Sequence, residues 1–522
     1  MFINKQFIQW ILCFVTIAFI FIFHTSPLEL SDIWWHLNTG RWIWINNEIP
    51  TDDPFLFTSV QPLDARANLI LRGYPLSQLL FFGTYMLAGN YGLLALQGLS
   101  FTLFYGLLWI YFRQHGLHPL LASAIIGLLP IPFFHFVDLR PHVFSFVGAL
   151  LVILLIEHIL AKEKKGMRPR LHVLLILPTI MLLWANLNPG YFIGIGLLFA
   201  YFLSEWIARK KSNASLPDDA FWRFLLVVFF SAAITILNPA GISATWVGFT
   251  AVSGPFSKVI DEYMGTLEYF EFYGLKYMGY IVVTAAALPS LALLLKWREV
   301  SIAHMLMVPL FLAAGILSFR FSLLMVAVIL SVACVYFARE LNRWLSYAKG
   351  IPVILLWCIS TWFLANSALN RTALPNSPVR SIIPSAAVDY LAQTKPSGNI
   401  YNHFGYGGYL SWRLYPKKIY IDQRGLSWDA HEEYIQSWRN DYSEVFHKHQ
   451  IGVVLSPIFN LTTRKRSPLV VRLLDDNEWE ISYYDRLNTI FIRRDINGGL
   501  RIFKNKQKIA EEILRHLDSI GA

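Results

Sequence analysis

Two aspartates and a handful of cations stand in this chain where few charges are expected. Asp32 lies in SDIWWHLNTGRW, directly after the apolar run QFIQWILCFVTIAFIFIF, and Asp138 lies in FVDLRPH between two further apolar runs. A carboxylate at the edge of lipid is partly desolvated, which raises its pKa and makes it a better base for a hydroxyl group. Near them in sequence are His36, one helical turn beyond Asp32, and Arg140 and His142 beside Asp138. Asp52 and Asp53 follow in IPTDDPF, and Arg320 interrupts two apolar runs in LSFRFS. A guanidinium at that depth costs roughly 3 kcal/mol or more unless an anion meets it. A lipid phosphate is such an anion, bidentate and always ionised. The chemistry these residue types define is group transfer from an activated lipid. An aspartate removes the acceptor proton, and cations hold the departing phosphate, whose stabilisation carries much of the rate enhancement.

Each residue also has a plainer reading. His36 and Asp32 can share a local hydrogen bond across one helical turn. Asp52 and Asp53 precede Pro54 and can close an Asx-turn. Asn186 and Asn188 in WANLNPG, and Asn238 in LNPAG, suit helix-ending turns as well as ligand contacts. Trp34, Trp35, Trp42 and Trp44 fit the tryptophan belt at a membrane interface.

The elements that would position these groups are membrane helices. Of 522 residues, 55% are hydrophobic, 16% aromatic and only 15% charged, against about 25% charged in a soluble domain, and the mean hydropathy is +0.45. The net charge of +10 and pI near 9.3 do not point to nucleic acid, because Lys and Arg fall in short clusters between apolar runs. Cys13, Cys334 and Cys358 all lie inside apolar segments and suggest neither disulfides nor a metal site. The first apolar run has no small-residue cleavage site after it and reads as a retained anchor.

Runs long enough to cross, or nearly so, lie at 7–24, 92–112, 119–136, 143–161, 171–187, 190–207, 222–239, 277–296, 301–317, 321–338 and 351–368. The stretch 74–89 is ambiguous. If the clusters KEKKGMRPR, ARKK, KWR and RELNRW are cytoplasmic, as the positive-inside rule asks, then 74–89 is an interfacial helix that does not cross. About eleven crossings follow, with the N-terminus inside and the C-terminal region outside. The acids Glu29, Asp32, Glu48, Asp52, Asp53, Asp64, Asp138, Asp261 and Glu262 then share the external face, with Arg140, His142 and Arg320. The expected architecture is mainly α: a polytopic helical bundle over 1–369 with an external loop at 25–91, then a small soluble α/β domain over 370–522. There SAAVDYLAQ and QKIAEEILRHLDSI read as helices, and GNIYN, KKIYIDQR, IGVVLS and TIFIRR as strands around a GYGGYL turn. Tyr406, Tyr409, Trp412 and Tyr415, in a strand-like run with glycines, are either an aromatic sugar platform or core.

A membrane anchor, an acidic external loop, an interfacial helix and a second external aspartate together resemble the GT-C superfamily of polyprenyl-phosphate-dependent glycosyltransferases. SDIWWHLNTGRWI with IPTDDPFLFTS is similar to a group of bacterial inner-membrane proteins related to that superfamily. That group also has an RP motif (Arg140, Pro141), W-x-N (Trp184, Asn186), NP-x-G (Asn238, Pro239, Gly241), GGYL-x-W-x-LYP (Gly407 to Pro416) and ID-x-R (Ile421, Asp422, Arg424). The resemblance implies a GT-C-like fold in the bacterial inner membrane with the C-terminal domain periplasmic. It implies transfer of a hexose or pentose from a polyprenyl-phosphate-linked donor to a glycan, lipid or protein acceptor. Asp32 matches the catalytic aspartate, and Asp138 the acid that helps to bind acceptor or a divalent metal, Mg or Mn. The sequence departs from the superfamily in having no DE or DxD pair after the first run and RGYPL in place of a double proline. No other cofactor is called for.

Two other classes compete. A transporter or flippase of lipid-linked sugars places ionisable groups near the bilayer midplane, often in inverted repeats; here the charges noted lie at the external ends. A non-catalytic assembly factor for envelope polysaccharide would be indifferent to Asp32→Asn.

Overall fold

The computed structural model describes residues 5–25, 27–28, 32–59, 62–134, 138–211, 216–242, 247, 260–347, 350–371, 383–460, 465–497 and 506–519. Among the described residues, six helical stretches are long and apolar enough to cross a membrane: Ala65–Gln114, His142–Lys164, Tyr191–Lys210, Asp218–Leu237, Lys276–Leu295 and Phe319–Tyr347. Five shorter apolar ones are Trp10–Phe23, Pro119–Phe133, Leu171–Leu187, Ile302–Leu317 and Ile351–Ser367. Every apolar run of the sequence falls on one of these.

Two details differ from the expected spans. The helix Pro75–Gln114 breaks at Ala88 and Gly89, where Gly89 takes φ +58° and ψ −147°, a conformation open to glycine alone. The piece before the break is about 20 Å long at 1.5 Å per residue, short of a hydrocarbon layer of about 30 Å. The run at 119–136 is α-helical only over Pro119–Leu128; Pro130 and Pro132 lack the N–H a helix needs, and the chain continues as a 3₁₀ turn, Ile131–Phe133. The end of that run, at 135–136, and Glu29 lie outside the described residues.

The chain forms two compact units. One comprises Met1–Pro27, Gly73–Ser77 and Thr84–Pro378; the other Leu28–Arg72, Gln78–Gly83 and Val379–Ala522. The loop after the first helix thus belongs to the same unit as the C-terminal region. In the helical unit, lipid tails are as apolar as leucine, so helices associate by close packing and hydrogen bonds rather than by excluding water. Trp184 shows how: a Cβ at Gly148 would sit 2.5 Å from the indole ring and one at Gly194 2.7 Å from it. Its Nε1–H donates to Ser145 Oγ at 2.9 Å.

The second unit holds a four-stranded sheet of β1 (Asn399–Asn402), β2 (Ile451–Pro457), β3 (Trp479–Tyr484) and β4 (Asn488–Arg493), in the order β1-β2-β4-β3. β1 and β2 run parallel, as a crossover through helices demands, and the other pairs antiparallel. β2 is buried along its whole length, which explains its unbroken IGVVLSP. The GYGGYL segment is not a turn between strands: Gly407–Leu414 is a helix, and Tyr406, Tyr409 and Trp412 recur every three residues to lie along its inner side, all buried. A Cβ at Gly407 would meet Ile421 O at 2.1 Å, so that helix begins where only glycine fits. KKIYIDQR forms only isolated bridges at Ile419.

Candidate functional site

In the helical unit, Asp138, Arg140, His142 and Arg320 come together. Pro141 starts the helix His142–Lys164, so Arg140 and Asp138 sit on the chain just before its first turn. Arg140 Nη2 lies 3.5 Å from Asp138 Oδ2, both side chains about a fifth exposed (21% and 24%). Arg320 occupies the 3₁₀ turn Phe319–Phe321 between two apolar helices. Its Nη1–H donates to the Tyr263 hydroxyl at 3.3 Å, and its guanidinium lies 4.8 Å over the Tyr263 ring. His142 is within electrostatic reach of both Arg140 and Arg320. Two guanidiniums around one imidazole suit an anion, since each charge-assisted hydrogen bond contributes about 1.5–3 kcal/mol.

The sequence reading missed the aromatic side of this cluster. Phe319 stacks on Tyr269 at 3.6 Å and 5°, and Phe319 N–H donates to Met264 O at 2.8 Å, which holds the Arg320 turn against the segment 260–273. Tyr269 is in electrostatic reach of Arg140, Asp261 and Asp138; burial, with Tyr273 beside it, pushes its phenol above the usual range. The Tyr273 hydroxyl donates to Asp261 Oδ2 at 2.7 Å. Tyr269 and Tyr273, one helical turn apart in EYFEFYG, were the available signal.

The asparagines serve as structural turns. Asn188 Oδ1 accepts from Ser145 Oγ (2.6 Å) and Gly190 N–H (2.8 Å). Asn238, buried, donates to Ala185 O (2.6 Å) and Gly73 O (3.2 Å) and accepts from Ala240 N–H (2.8 Å). Asn186 donates back to Leu182 O at 2.9 Å within its helix.

One ionisable group lies away from the helix ends, against the expectation that charges gather there. Glu157, inside His142–Lys164, accepts from Tyr201 (2.9 Å), Tyr111 (3.0 Å) and His304 Nε2 (3.2 Å) at Oε1, and pairs with His115 Nε2 at 3.3 Å through Oε2. His304 Nδ1 in turn meets the Tyr336 hydroxyl at 2.8 Å. Four helices besides its own contribute, so no single run of sequence announces the network.

In the second unit, Asp32 is half-buried at the N-terminus of the helix Ile33–Asn46, and its side chain makes no cap bond. His36 is 1% exposed, with its ring 3.5 Å from that of Trp35 and edge-on to Phe81 at 5.8 Å. Trp34 and Trp35 are core residues at 2% and 4% exposure, not interface anchors, whereas Trp44 is 66% exposed. Asp52 is exposed. Asp53 is buried and fully engaged: Oδ2 accepts from Leu56 N–H at 3.1 Å, as an Asx-type turn requires, and the carboxylate receives both terminal nitrogens of Arg424, at 2.9 and 3.2 Å. Arg424 also binds Asp422, at 2.8 Å from Nε and 2.7 Å from Nη2. All three side chains are 0% exposed. Burial works against the charge on Arg424, but the two carboxylates outweigh it and hold the guanidinium above its usual range. Burial also pushes the Asp422 carboxyl up, with Arg424 opposing.

Among the described residues, no group of three or more His, Cys, Asp or Glu could hold a metal ion.

No family model matches the sequence, and no curated protein matches it. Among solved structures the chain is similar to the archaeal oligosaccharyltransferase AglB from Archaeoglobus fulgidus, in complex with an inhibitory peptide and a dolichol-phosphate. The TM-score is 0.60 at 10% identity, over 92% of this chain and 73% of that one. Two further structures of an Archaeoglobus fulgidus oligosaccharyltransferase are similar at 12% identity. The apo form has a TM-score of 0.54 over 95% of this chain and 76% of its own; the complex with Zn and sulfate has 0.56 over 95% and 74%. At such identities the likeness establishes the fold alone: this is a multi-pass membrane protein with the fold seen in the archaeal oligosaccharyltransferases.

Proposed function

We propose that the chain is a membrane glycosyltransferase that moves a hexose or pentose from a polyprenyl-phosphate donor to a glycan, lipid or protein acceptor on the periplasmic face of a bacterial inner membrane. The observation that carries the reading is the cluster Asp138, Arg140, His142 and Arg320 at helix ends, in a fold whose solved examples include one holding a dolichol-phosphate. In this reading Arg320 and Arg140 hold the donor phosphate, with His142 beside them, and Asp138 orients Arg140 or the acceptor. By its match to the superfamily's catalytic aspartate, Asp32, half-buried at its helix N-terminus, is assigned as the base for the acceptor hydroxyl or amide. The acceptor–C1 bond forms, the C1–phosphate-oxygen bond breaks, and its electron pair leaves on the phosphate facing the guanidiniums. Asp52 remains an exposed acid available to the acceptor.

The test is transfer by purified protein in vesicles supplied with radiolabelled polyprenyl-phosphate hexoses and pentoses. Transfer or donor cleavage that Asp32→Asn abolishes, with protein yield and melting temperature unchanged, is the expected result. Equal activity in Asp32→Asn would sink the assignment of the base, and indifference of the host envelope to that change would favour an assembly factor. The Glu157 network gives the transporter reading an observation of its own, a carboxylate within a spanning helix. Bilayer crossing of a fluorescent lipid-linked sugar without cleavage would select it.

A further inference from the structure

We infer that the C-terminal region acts in the reaction by holding the loop that carries Asp32, and that Asp53 and Arg424 are positioning residues for it rather than ligands of the substrate. The inference rests on the glycosyltransferase reading for its activity readout.

The loop is fastened to residues 411–425 along its length, all within one compact unit. Before the turn, Asn38 donates to Ser411 O and Arg41 to Trp412 O, each at 3.0 Å, and the Arg41 guanidinium lies 4.4 Å over both the Trp412 and Tyr415 rings. Trp34, two residues after Asp32, packs edge-on against Tyr409 at 4.9 Å. After the turn, Ile419 N–H donates to Phe55 O at 3.0 Å and Phe57 N–H to Ile419 O at 3.1 Å, while Thr58 donates to Tyr420 O. Arg66 donates to the carbonyls of Gly425 and, at 3.2 Å, Arg424.

Between these fastenings the chain from Asn47 to Pro54 has no helix or strand, and the Asp53 side chain anchors it. Replacing a buried ion pair by apolar groups is often neutral or stabilising, so stability alone does not call for one here. What the pair adds is direction. The planar fork of Arg424 accepts the Asp53 carboxylate in one orientation only, with Asp422 fixing the fork from the other side. The motifs IPTDDPF and ID-x-R, far apart in sequence, are thereby two halves of one device.

The experiment uses full-length protein with Cys13, Cys334 and Cys358 changed to Ser. Asp53→Asn and the milder Arg424→Lys are expected to lower kcat about tenfold with KM nearly unchanged. Adding the pair Leu56→Cys and Ile419→Cys, at the bridged positions, and oxidising it is expected to restore most of that kcat; reduction should remove the rescue. Full activity in both single variants, or a formed disulfide without rescue, would overturn the inference. Hydrogen exchange of the helix Ile33–Asn46 gives a readout free of activity. It should quicken in Arg424→Lys and slow again in the oxidised form, and unchanged exchange would overturn the inference even if no donor is ever turned over. Failure of the glycosyltransferase reading is separate: it shows as a wild-type protein inert toward every donor.

Discussion

Arg320 and Arg424 are the same residue in opposite circumstances. Arg320, in a turn between apolar helices, is part-buried, touches a tyrosine hydroxyl and ring, and shares its surroundings with Arg140 and His142. Arg424 is fully enclosed and divides its fork between two carboxylates. One arrangement collects positive charge where an anion can arrive, and the other uses up its charge internally. Residue type at a suggestive place in sequence does not tell them apart; enclosure does.

If this contrast is right, the largest effect on stability belongs to the enclosed group. Arg424→Ala leaves two buried carboxylates without a counter-ion and should cost about 3–5 kcal/mol, read as loss of the cooperative unfolding transition of the C-terminal unit. Arg320→Gln should leave that transition in place and instead lower sugar transfer by about 10²–10³-fold, the usual consequence of removing one donor to a developing anion. A loss of stability in Arg320→Gln comparable to that in Arg424→Ala would erase the distinction.

A smaller effect follows from His403, packed among Tyr406, Tyr434 and Trp438, whose pKa burial lowers to about 4. Its Nδ1 accepts from Gly405 N–H, which requires the neutral ring. The folded state therefore binds fewer protons than the unfolded state between pH 4 and about 6.5. Stability is fully present above about 6.5 and falls by up to about 3 kcal/mol as pH drops to 4. Denaturant titrations across that range should show the slope in wild type and a flatter line in His403→Asn. The smallest effect is expected at Tyr105 in the helical unit, whose buried hydroxyl has no hydrogen-bond partner among the described residues, as have neither of the ring nitrogens of neighbouring His24. Tyr105→Phe should be neutral or stabilising by about 1 kcal/mol in a thermal melt.

Local pattern was enough for the helices, because a run of apolar residues near 20 long has few other fates, and it marked Arg320 as a guanidinium between two such runs. It also placed Asp138, Arg140 and His142 together, since they are neighbours in sequence. It failed where the partner is distant. Asp53 looked like a ligand because Arg424 lies 371 positions away. Glu157 escaped notice because its partners come one or two at a time from three other helices. Trp34 and Trp35 matched the composition of a membrane interface, but a helix buried along most of its length made them core. GYGGYL read as a turn by its glycines, whereas the third-residue spacing of its aromatics was the truer guide.

By itself, then, the amino-acid order determined that this is a membrane-spanning helical protein with a small C-terminal region of helices and strands, because hydropathy and periodicity act over a few turns of chain. Only the tertiary structure decided that residues 28–72 belong with residues 379–522, and which charged groups are enclosed and which stand ready. Those outcomes depend on contacts between segments hundreds of residues apart, where the exclusion of water rather than the identity of the residue sets what a charge can do.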